Sequence, residues 1–216
     1  EALTTKYGQA FPDVWIRTNS PKRAVRDITM LEALSMGHDV LADFYVDAAG
    51  NHSLRLYQSD NLVLSDILPV LSDFGLIVVD SFATLVETDH GKQYIDTFHI
   101  VPPRHLDVPL MSRSGQLVDA IEAVFGREAT ADPLNRLVVT SGLSWQEVDV
   151  LRGYARYCLQ LNFKLAPARM QEIILSHPIL CHTLMAFFQA RLDPDLTTSR
   201  KRAIKKAETI VRDELR

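Results

Sequence analysis

The chain has 216 residues, of which 47% are hydrophobic and 23% charged, and these are the proportions of an ordinary globular protein. A formal net charge of −4 argues against nucleic acid as a partner, because general nucleic-acid binding needs a basic surface. No stretch approaches the roughly 20 apolar residues of a membrane span, and the two cysteines, Cys158 and Cys181, suit reduced core positions in a cytoplasmic protein.

The N-terminal part, residues 1–40, is predicted to be a helical lead-in. Ser20 followed by Pro21 is a helix start, because the hydroxyl caps free N–H groups and proline is preorganised for the first helical position. Gly37 is predicted to end this helix. The expected buried stripe consists of Val25, Ile28, Leu31, Glu32 and Leu34.

Four strands and a helix are predicted next. Residues 41–47 and 53–58 flank a Gly- and Asn-containing loop and form a hairpin. The helical spacing of Leu64, Ile67, Leu68 and Leu71 predicts a helix that Gly75 closes. Residues 76–87 and 93–101 read as two further strands joined by a turn at Asp89–Lys92.

The region 41–128 is predicted to be an α+β module with an antiparallel sheet. Its order of elements resembles the ferredoxin-like β-α-β-β-α plan of an ACT domain. That plan usually adds a last strand after the second helix, but residues 132–145 read as helix or turn. The early strand 41–47 is therefore expected to take that edge, which gives the sheet order 41–47, 53–58, 93–101, 76–87.

The remaining residues, 129–216, are predicted to form an all-helical segment. Ser144–Glu147 is a capping box for a helix that is apolar around more than half its girth, so this helix is expected inside a bundle. Further helices are predicted at 167–176, at 178–192 and from about 195. Because the last pattern lacks a closing Gly, Asn or Pro, we expect a boundary cut through a helix at Arg216. A narrow polar face of the 145–161 helix holds Asp149, Arg152, Arg156 and Gln160.

The glycines exclude the common nucleotide-binding loops. The chain has nine, and no two stand closer than eleven residues. The dinucleotide fingerprint and the P-loop both need glycines a few residues apart, so that the backbone can approach a phosphate. We therefore expect no bound nucleotide cofactor within this chain.

Three clusters of reactive side chains have competing interpretations. His177, Cys181 and His182 are close in sequence, but three or four convergent ligands make a zinc site, and a cap with core positions is favoured. Asp43, Asp80 and Asp96 fall on predicted strands, where the solvent side of a half-covered sheet is favoured over an acid–base site. The basic run 200–206 contains the apolar positions of an amphipathic helix, which is favoured over a nucleic-acid or acidic-partner contact.

One loop carries a binding hypothesis. In ACT-like modules small amino-acid effectors bind near the turn between the first core strand and its helix, which here is Ser59, Asp60 and Asn61. These residue types are also good turn formers. The glycine that effector-binding members often place there is absent.

Several strings resemble one family over nearly the whole chain and in consistent order. Residues 64–80 (LSDILPVLSDFGLIVVD), 96–100 (DTFHI), 135–163 and 177–194 look like the large bacterial NAD-specific glutamate dehydrogenase. SPKRAVRDI at 20–28 and FP at 11–12 fit the same family. One departure is Asn162, where the family pattern leads us to expect a glycine.

The resemblance implies a parent enzyme that converts L-glutamate and NAD to 2-oxoglutarate, ammonium and NADH. This stretch would be the last of its N-terminal ACT-like modules plus the following helices, with the catalytic region lying after Arg216, so the resemblance implies no catalytic residue in this chain. The implied role is regulatory or architectural, with the remaining domains of the polypeptide and a homo-oligomer as partners. Two other hypotheses stay open: an independent amino-acid-sensing module, and a small enzyme that uses the sheet carboxylates.

Overall fold

The computed structural model describes residues 2–47, 49–88, 91–104, 106–161, 164–194 and 200–214. Three helices come first: α1 (Ala2–Tyr7), α2 (Asp13–Thr18) and α3 (Pro21–Leu34). The predicted cap is confirmed, because Ser20 Oγ accepts a hydrogen bond of 3.2 Å from the amide of Arg23. Capping satisfies a donor that the first helical turn would otherwise leave without a partner.

The buried stripe of α3 differs from the predicted one. Val25 is exposed, so its assignment to the buried face was wrong. Leu31 and Leu34 are buried as predicted, and the other buried positions are Asp27 and Met30. The buried stripe is rotated because the charged Asp27 pairs with residues of the sheet. The spacing of apolar residues does not predict such a pairing.

The four strands form one antiparallel sheet in the predicted order β1-β2-β4-β3. Each predicted strand agrees with the structure to within two residues at either end, although Asp89 and His90 of the predicted turn lie outside the described residues. The strands are β1 (Val40–Val46), β2 (His52–Gln58), β3 (Ile77–Thr88) and β4 (Gly91–Val101).

Both faces of the sheet bear apolar clusters. One face carries Leu54, Leu56 and Phe98, which pack in a core with Ile67 of α4 (Leu64–Asp73) and Ile121 of α5 (Ser114–Phe125). The opposite face carries Leu41, Tyr57, Val86 and Ile95, which cluster with residues of the N-terminal helices. The sheet is therefore a middle layer, which explains why β2 is buried along nearly its whole length.

Both edge strands are partly covered. The backbone amide of Ala42 in β1 donates a 2.7 Å hydrogen bond to Glu122 Oε1 of α5. The amide of Glu87 in β3 donates to the carbonyl of Ala10 at 3.3 Å. Such contacts occupy donors that an open edge would offer to another strand.

The C-terminal segment is helical, as predicted. Residues 132–145 contain a 3₁₀ turn (Pro133–Asn135) and α6 (Arg136–Ser141), and no strand forms among them. Another 3₁₀ turn (Leu110–Arg113) precedes α5. The later helices are α7 (Trp145–Gln160), α8 (Pro167–Ser176), α9 (Pro178–Leu192) and α10 (Arg200–Glu214).

These helices share the core of the sheet. Leu137, Val148, Cys181 and Met185 belong to the same apolar cluster as the strand residues Leu54 and Phe98. In the described part of α10, Ala207 is buried and helix α10 lies along α9, which confirms an amphipathic helix there.

The position of α7 corrects two predictions. Its capping box is present, with Ser144 and Glu147 exchanging hydrogen bonds. The expectation that it lies inside a bundle was wrong, because Tyr154, Tyr157 and Leu161 are exposed. The predicted polar face was also partly wrong, because Arg152 points inward and is buried.

Candidate functional site

The proposed effector loop is exposed and stands between a buried strand and a helix. Ser59, Asp60 and Asn61 connect β2 to α4, and all three are exposed. Their side chains make no hydrogen bonds within the described part of the chain, so their polar groups face solvent.

A buried polar pair lies directly before this loop. Gln58 donates a short hydrogen bond from Nε2 to Asp96 Oδ2, and both residues are buried. Burial raises the pKa of Asp96 to about 6, and the hydrogen bond from Gln58 offsets part of that rise. Gln58 Oε1 has no partner among the described residues. A buried acceptor without a donor is costly, so this pair has unused capacity to accept a hydrogen bond.

The three sheet carboxylates do not come together. The strand registers place Asp96 in the row of Leu56 and Ala42, and Asp43 in the adjacent row with Arg55, so the two carboxylates lie on opposite faces. Asp80 shares the face of Asp43 but lies on the other edge strand, three strand spacings or at least about 14 Å away. The prediction that all three face solvent was wrong for Asp96, which is buried, and for Asp43, which is ion-paired.

Asp80 alone keeps the exposed position that was predicted. It pairs with His99 of the neighbouring strand at 2.5 Å, from carboxylate oxygen to Nδ1. Phe82 packs edge-to-face against the His99 ring with centroids 5.7 Å apart.

A buried ionic network joins α3 to the sheet. Asp27 is fully buried; it pairs with Arg55 of β2, accepts 2.8 Å from Arg23 Nε, and accepts 2.7 Å from the hydroxyl of Tyr57. Arg23 also contacts Asp43 of β1 at 2.6 Å. Burial and the nearby charge of Asp27 raise the pKa of the Tyr57 phenol, which therefore stays a hydrogen-bond donor.

Most donors of this network have an acceptor among the described residues, but one does not. Arg55 also donates to Asn19 Oδ1 at 2.5 Å, and Arg23 lies 4.2 Å above the ring of Tyr45. Arg55 Nε has no partner within the described residues. All of these groups belong to residues 19–57, so the network fastens the N-terminal helices to the sheet.

The sequence patterns did not predict this network or a second one in the helical segment. Arg152 of α7 donates to Asp132 at 2.7 Å, pairs with Asp149, and donates to Asn135 Oδ1 at 2.9 Å. The sequence feature that could have indicated these networks is a charged residue at a core-facing helical position, such as Asp27 one turn before Leu31, because a buried charge needs a partner.

The three residues of the suspected metal cluster diverge. Cys181 is buried and donates from Sγ to the carbonyl of Ile174 at 3.4 Å, whereas His177 and His182 are exposed. Burial raises the pKa of the Cys181 thiol to about 11, which disfavours the thiolate that metals bind. The part of the chain that the structure describes contains no group of three or more His, Cys, Asp or Glu side chains placed to bind a metal.

The loop between β2 and α4 lacks the features of a dinucleotide-binding loop. α4 follows β2 without glycine in the connecting loop and without a side-chain cap at Val63. A surface cavity of about 260 Å³ lies on the helical segment, but its lining is apolar and includes no charged side chain that could hold a phosphate. It is lined by Val150, Gly153, Tyr154, Tyr157 and Phe188.

Within the described ranges no single helix is both long and apolar enough to cross a membrane. Helices α8 and α9 are long and apolar enough only when they are counted together, and the chain bends by 91° between them.

Three segment models of one family match the chain in order. They are glutamate dehydrogenase helical motif 2 over residues 1–34, the glutamate dehydrogenase ACT3 domain over 39–111, and glutamate dehydrogenase helical motif 3 over 129–194. The ACT3 match covers all four strands and α4.

Curated relatives agree with these models. The chain is 31% identical over 190 residues to the NAD-specific glutamate dehydrogenase of Pseudomonas aeruginosa, an alignment that covers 86% of this chain and 12% of the relative. It is 26% identical over 196 residues to the NAD-specific glutamate dehydrogenase of Halomonas elongata, which covers 89% of this chain and 12% of the relative. It is also 26% identical over 203 residues to the NAD-specific glutamate dehydrogenase of Mycobacterium tuberculosis, which covers 90% of this chain and 12% of the relative.

The chain thus spans about 12% of the length of these relatives. With its helical motifs and ACT3 domain in the family's order, it belongs to the glutamate dehydrogenase family that these models describe.

Proposed function

We propose that the chain is a non-catalytic regulatory and architectural segment of an NAD-dependent glutamate dehydrogenase. The parent reaction would convert L-glutamate, NAD and water to 2-oxoglutarate, ammonium and NADH. The observation that carries this proposal is the ordered match of helical motif 2, ACT3 and helical motif 3. The divergence of Asp43, Asp80 and Asp96 supports it as well, since they do not form one acid–base cluster.

The proposed division is a lead-in over 1–40, an ACT-like module over 41–128 and a helical segment over 129–216. The ion network around Asp27 supports an architectural role for the first boundary, because it ties residues on both sides together. The shared core supports the same role at the second boundary. The proposal includes a cytoplasmic location, contacts with the remaining domains, and a homo-oligomer.

Glutamate-dependent NADH formation by the purified chain, measured beside its full-length parent, tests this function. We expect NADH from the parent and none from the chain, because the chain lacks the closely spaced glycines of a dinucleotide-binding loop. NADH formation by the chain itself would refute the proposal. The Asp80→Asn and Asp96→Asn variants of the parent should retain activity, and a large loss of kcat in either would favour the alternative of a site at the sheet carboxylates.

A second candidate function is amino-acid sensing at the Ser59–Asn61 loop. The specific observation in its favour is that Gln58 Oε1 has no partner among the described residues and lies beside Asp96, whose pKa burial raises to about 6. Two acceptors without a full set of donors suit an ammonium group. Melting temperature with glutamate and other amino acids tests it. A rise that disappears in Asp60→Ala would support sensing, and unchanged melting up to millimolar ligand would count against it.

A further inference from the structure

Gln58 and Asp96 form a polar pair inside the core that the sheet shares with α4 and α5. Gln58 is 1% exposed and Asp96 is 8% exposed. The strand registers place both side chains on the face of Leu56, which belongs to that core. Gln58 Nε2 donates to Asp96 Oδ2, so the amide and the carboxyl lie against each other. The pair therefore joins the last residue of β2 to β4.

An ionised Asp96 would leave this pair incomplete. A carboxylate only accepts hydrogen bonds, and the oxygen of the Gln58 amide is likewise only an acceptor. Gln58 Oε1 is buried and has no donor among the described residues. No basic side chain of the described residues offsets a charge on Asp96, since burial and Gln58 alone shift its pKa. A buried charge without a counter-charge and a buried acceptor without a donor are both costly.

A protonated Asp96 completes the pair. A carboxylic acid offers one O–H donor and one carbonyl acceptor, and a primary amide offers the matching acceptor and donor. Side by side, the acid donates its O–H to Gln58 Oε1, while the amide donates an N–H to the other oxygen of Asp96. Both buried groups are then satisfied and no charge is buried. A proton needs no extra space, whereas a water molecule that donates to Oε1 would need a cavity.

The surrounding elements carry other titratable groups, but none of them shifts the pKa of Asp96. Those on the same face of the sheet or on the helices that cover it are His52 of β2, Glu87 of β3, Lys92 and Tyr94 of β4, Asp66 and Asp73 of α4, and Asp119 and Glu122 of α5. Lys92 pairs with Glu87 at 3.3 Å, and Glu122 accepts from the amide of Ala42. The proton on Asp96 therefore depends on burial and on Gln58.

We propose that this pair is a pH-sensitive switch, in which neutral Asp96 fastens the end of β2 to β4 and loss of its proton loosens the loop that follows. That loop, Ser59–Asn61, begins directly after Gln58 and is exposed. It ends before Leu62, which packs against the core, so Gln58 is its anchor on the β2 side. A buried carboxylate gains solvation when the end of β2 opens, and ionisation therefore favours opening. The switch needs no partner and does not rest on the proposed function.

Carbon-13 NMR of the side chains tests the hydrogen bond of the acid form. We expect the Asp96 Cγ and Gln58 Cδ resonances to move together as the pH rises, with one midpoint near 6. The control variant Asp80→Asn, at the exposed pair, should leave both titrations unchanged. A midpoint near the ordinary 3.8 for Asp96, or a Gln58 resonance that does not follow it, would overturn the proposal. In either case the acid would not be the donor to Oε1.

Amide hydrogen exchange, corrected for its intrinsic pH dependence, tests the link to the loop. We expect protection of the paired Gln58 and Tyr94 amides to fall about tenfold or more as the pH rises from about 4 to about 6, and to level off above. The Ser59–Asn61 amide resonances should shift with the same midpoint. In Asp96→Asn, whose amide donates at every pH, both responses should vanish, whereas Asp80→Asn should keep them. Responses that persist in Asp96→Asn, or that are missing from the wild type, would refute the switch.

Discussion

The hydroxyl of Tyr57 in β2 donates a 2.7 Å hydrogen bond to Asp27 in α3, and both side chains are buried. Arg55, two residues before Tyr57 on the same face of β2, pairs with the other oxygen of the same carboxylate. Two residues on the same face of β2 therefore bind the two carboxylate oxygens of one helix residue. This contact fixes the position of α3 along β2.

Replacing Asp27 should destabilise the protein strongly. In Asp27→Ala the buried Arg55 loses its only acidic partner among the described residues, and removing one member of a buried ion pair costs about 3–5 kcal/mol. Urea unfolding followed by circular dichroism measures the change. Glu172→Ala is the control, because its exposed pair with Arg169 should contribute less than about 1 kcal/mol. Similar losses in the two variants would show that the network adds no stability.

Asp96 should make stability depend on pH in a defined window. Because burial raises its pKa from 3.8 to about 6 in the native state, the native protein binds more protons than the unfolded chain between those values. Stability from this group therefore falls as pH rises from about 4 to 6, and the cost persists above pH 6.

Asp96→Asn should remove that dependence and stabilise the protein near pH 7 by about 1–2 kcal/mol. The new amide can also donate to Gln58 Oε1, which has no partner among the described residues. Free energies of unfolding at pH 4.5 and 7 test this, with Asp80→Asn at the exposed pair as control. A wild-type pH profile that persists in Asp96→Asn would contradict the assignment.

Gly75 should not tolerate a side chain. Its φ is +78°, its amide donates to the carbonyl of Ser72 at 2.8 Å, and an added Cβ would lie 3.0 Å from Arg136 Nε. Gly75→Ala should cost about 1–2 kcal/mol, because a left-handed conformation is strained for L-residues. Gly115→Ala, in an open helical position, should be neutral or stabilising by up to about 1 kcal/mol. Thermal unfolding compares them, and a smaller loss for Gly75→Ala than for Gly115→Ala would disprove the argument.

The capping box of α7 should be measurable on its own. Ser144 Oγ accepts 3.3 Å from the amide of Glu147, whose carboxylate accepts 2.8 Å from the amide of Ser144. Ser144→Ala should lower the free energy of unfolding by about 1 kcal/mol. Ser176→Ala, which loses only an exposed hydroxyl contact at the end of α8, should change it by less than about 0.5 kcal/mol. No difference between the two would mean that the cap adds nothing to stability.

Local patterns predicted the elements well because their causes are local. Ser20 and Ser144 cap helices through neighbouring amides, and Gly75 ends α4 through its own backbone freedom. The position of β1 in the sheet was also predictable. A short loop joins β1 to β2, and strands joined in this way pair antiparallel, so β1 takes the edge beside β2. Candidate sites were less predictable, since Asp43, Asp80 and Asp96 look alike in sequence but lie in three different environments.

The sequence by itself determined the four strands, the helical segments, the absence of closely spaced glycines and the family resemblance, because each depends on neighbouring residues or on their order. Only the tertiary structure decided the full extent of the buried sides of α3 and α7. It turned Asp27 and Arg152 inward to distant partners and left Tyr154 and Tyr157 outside. The physical reason is that a buried charge is stable only beside its counter-charge, and the counter-charges of Asp27 and Arg152 include Arg55 and Asp132, 28 and 20 residues away.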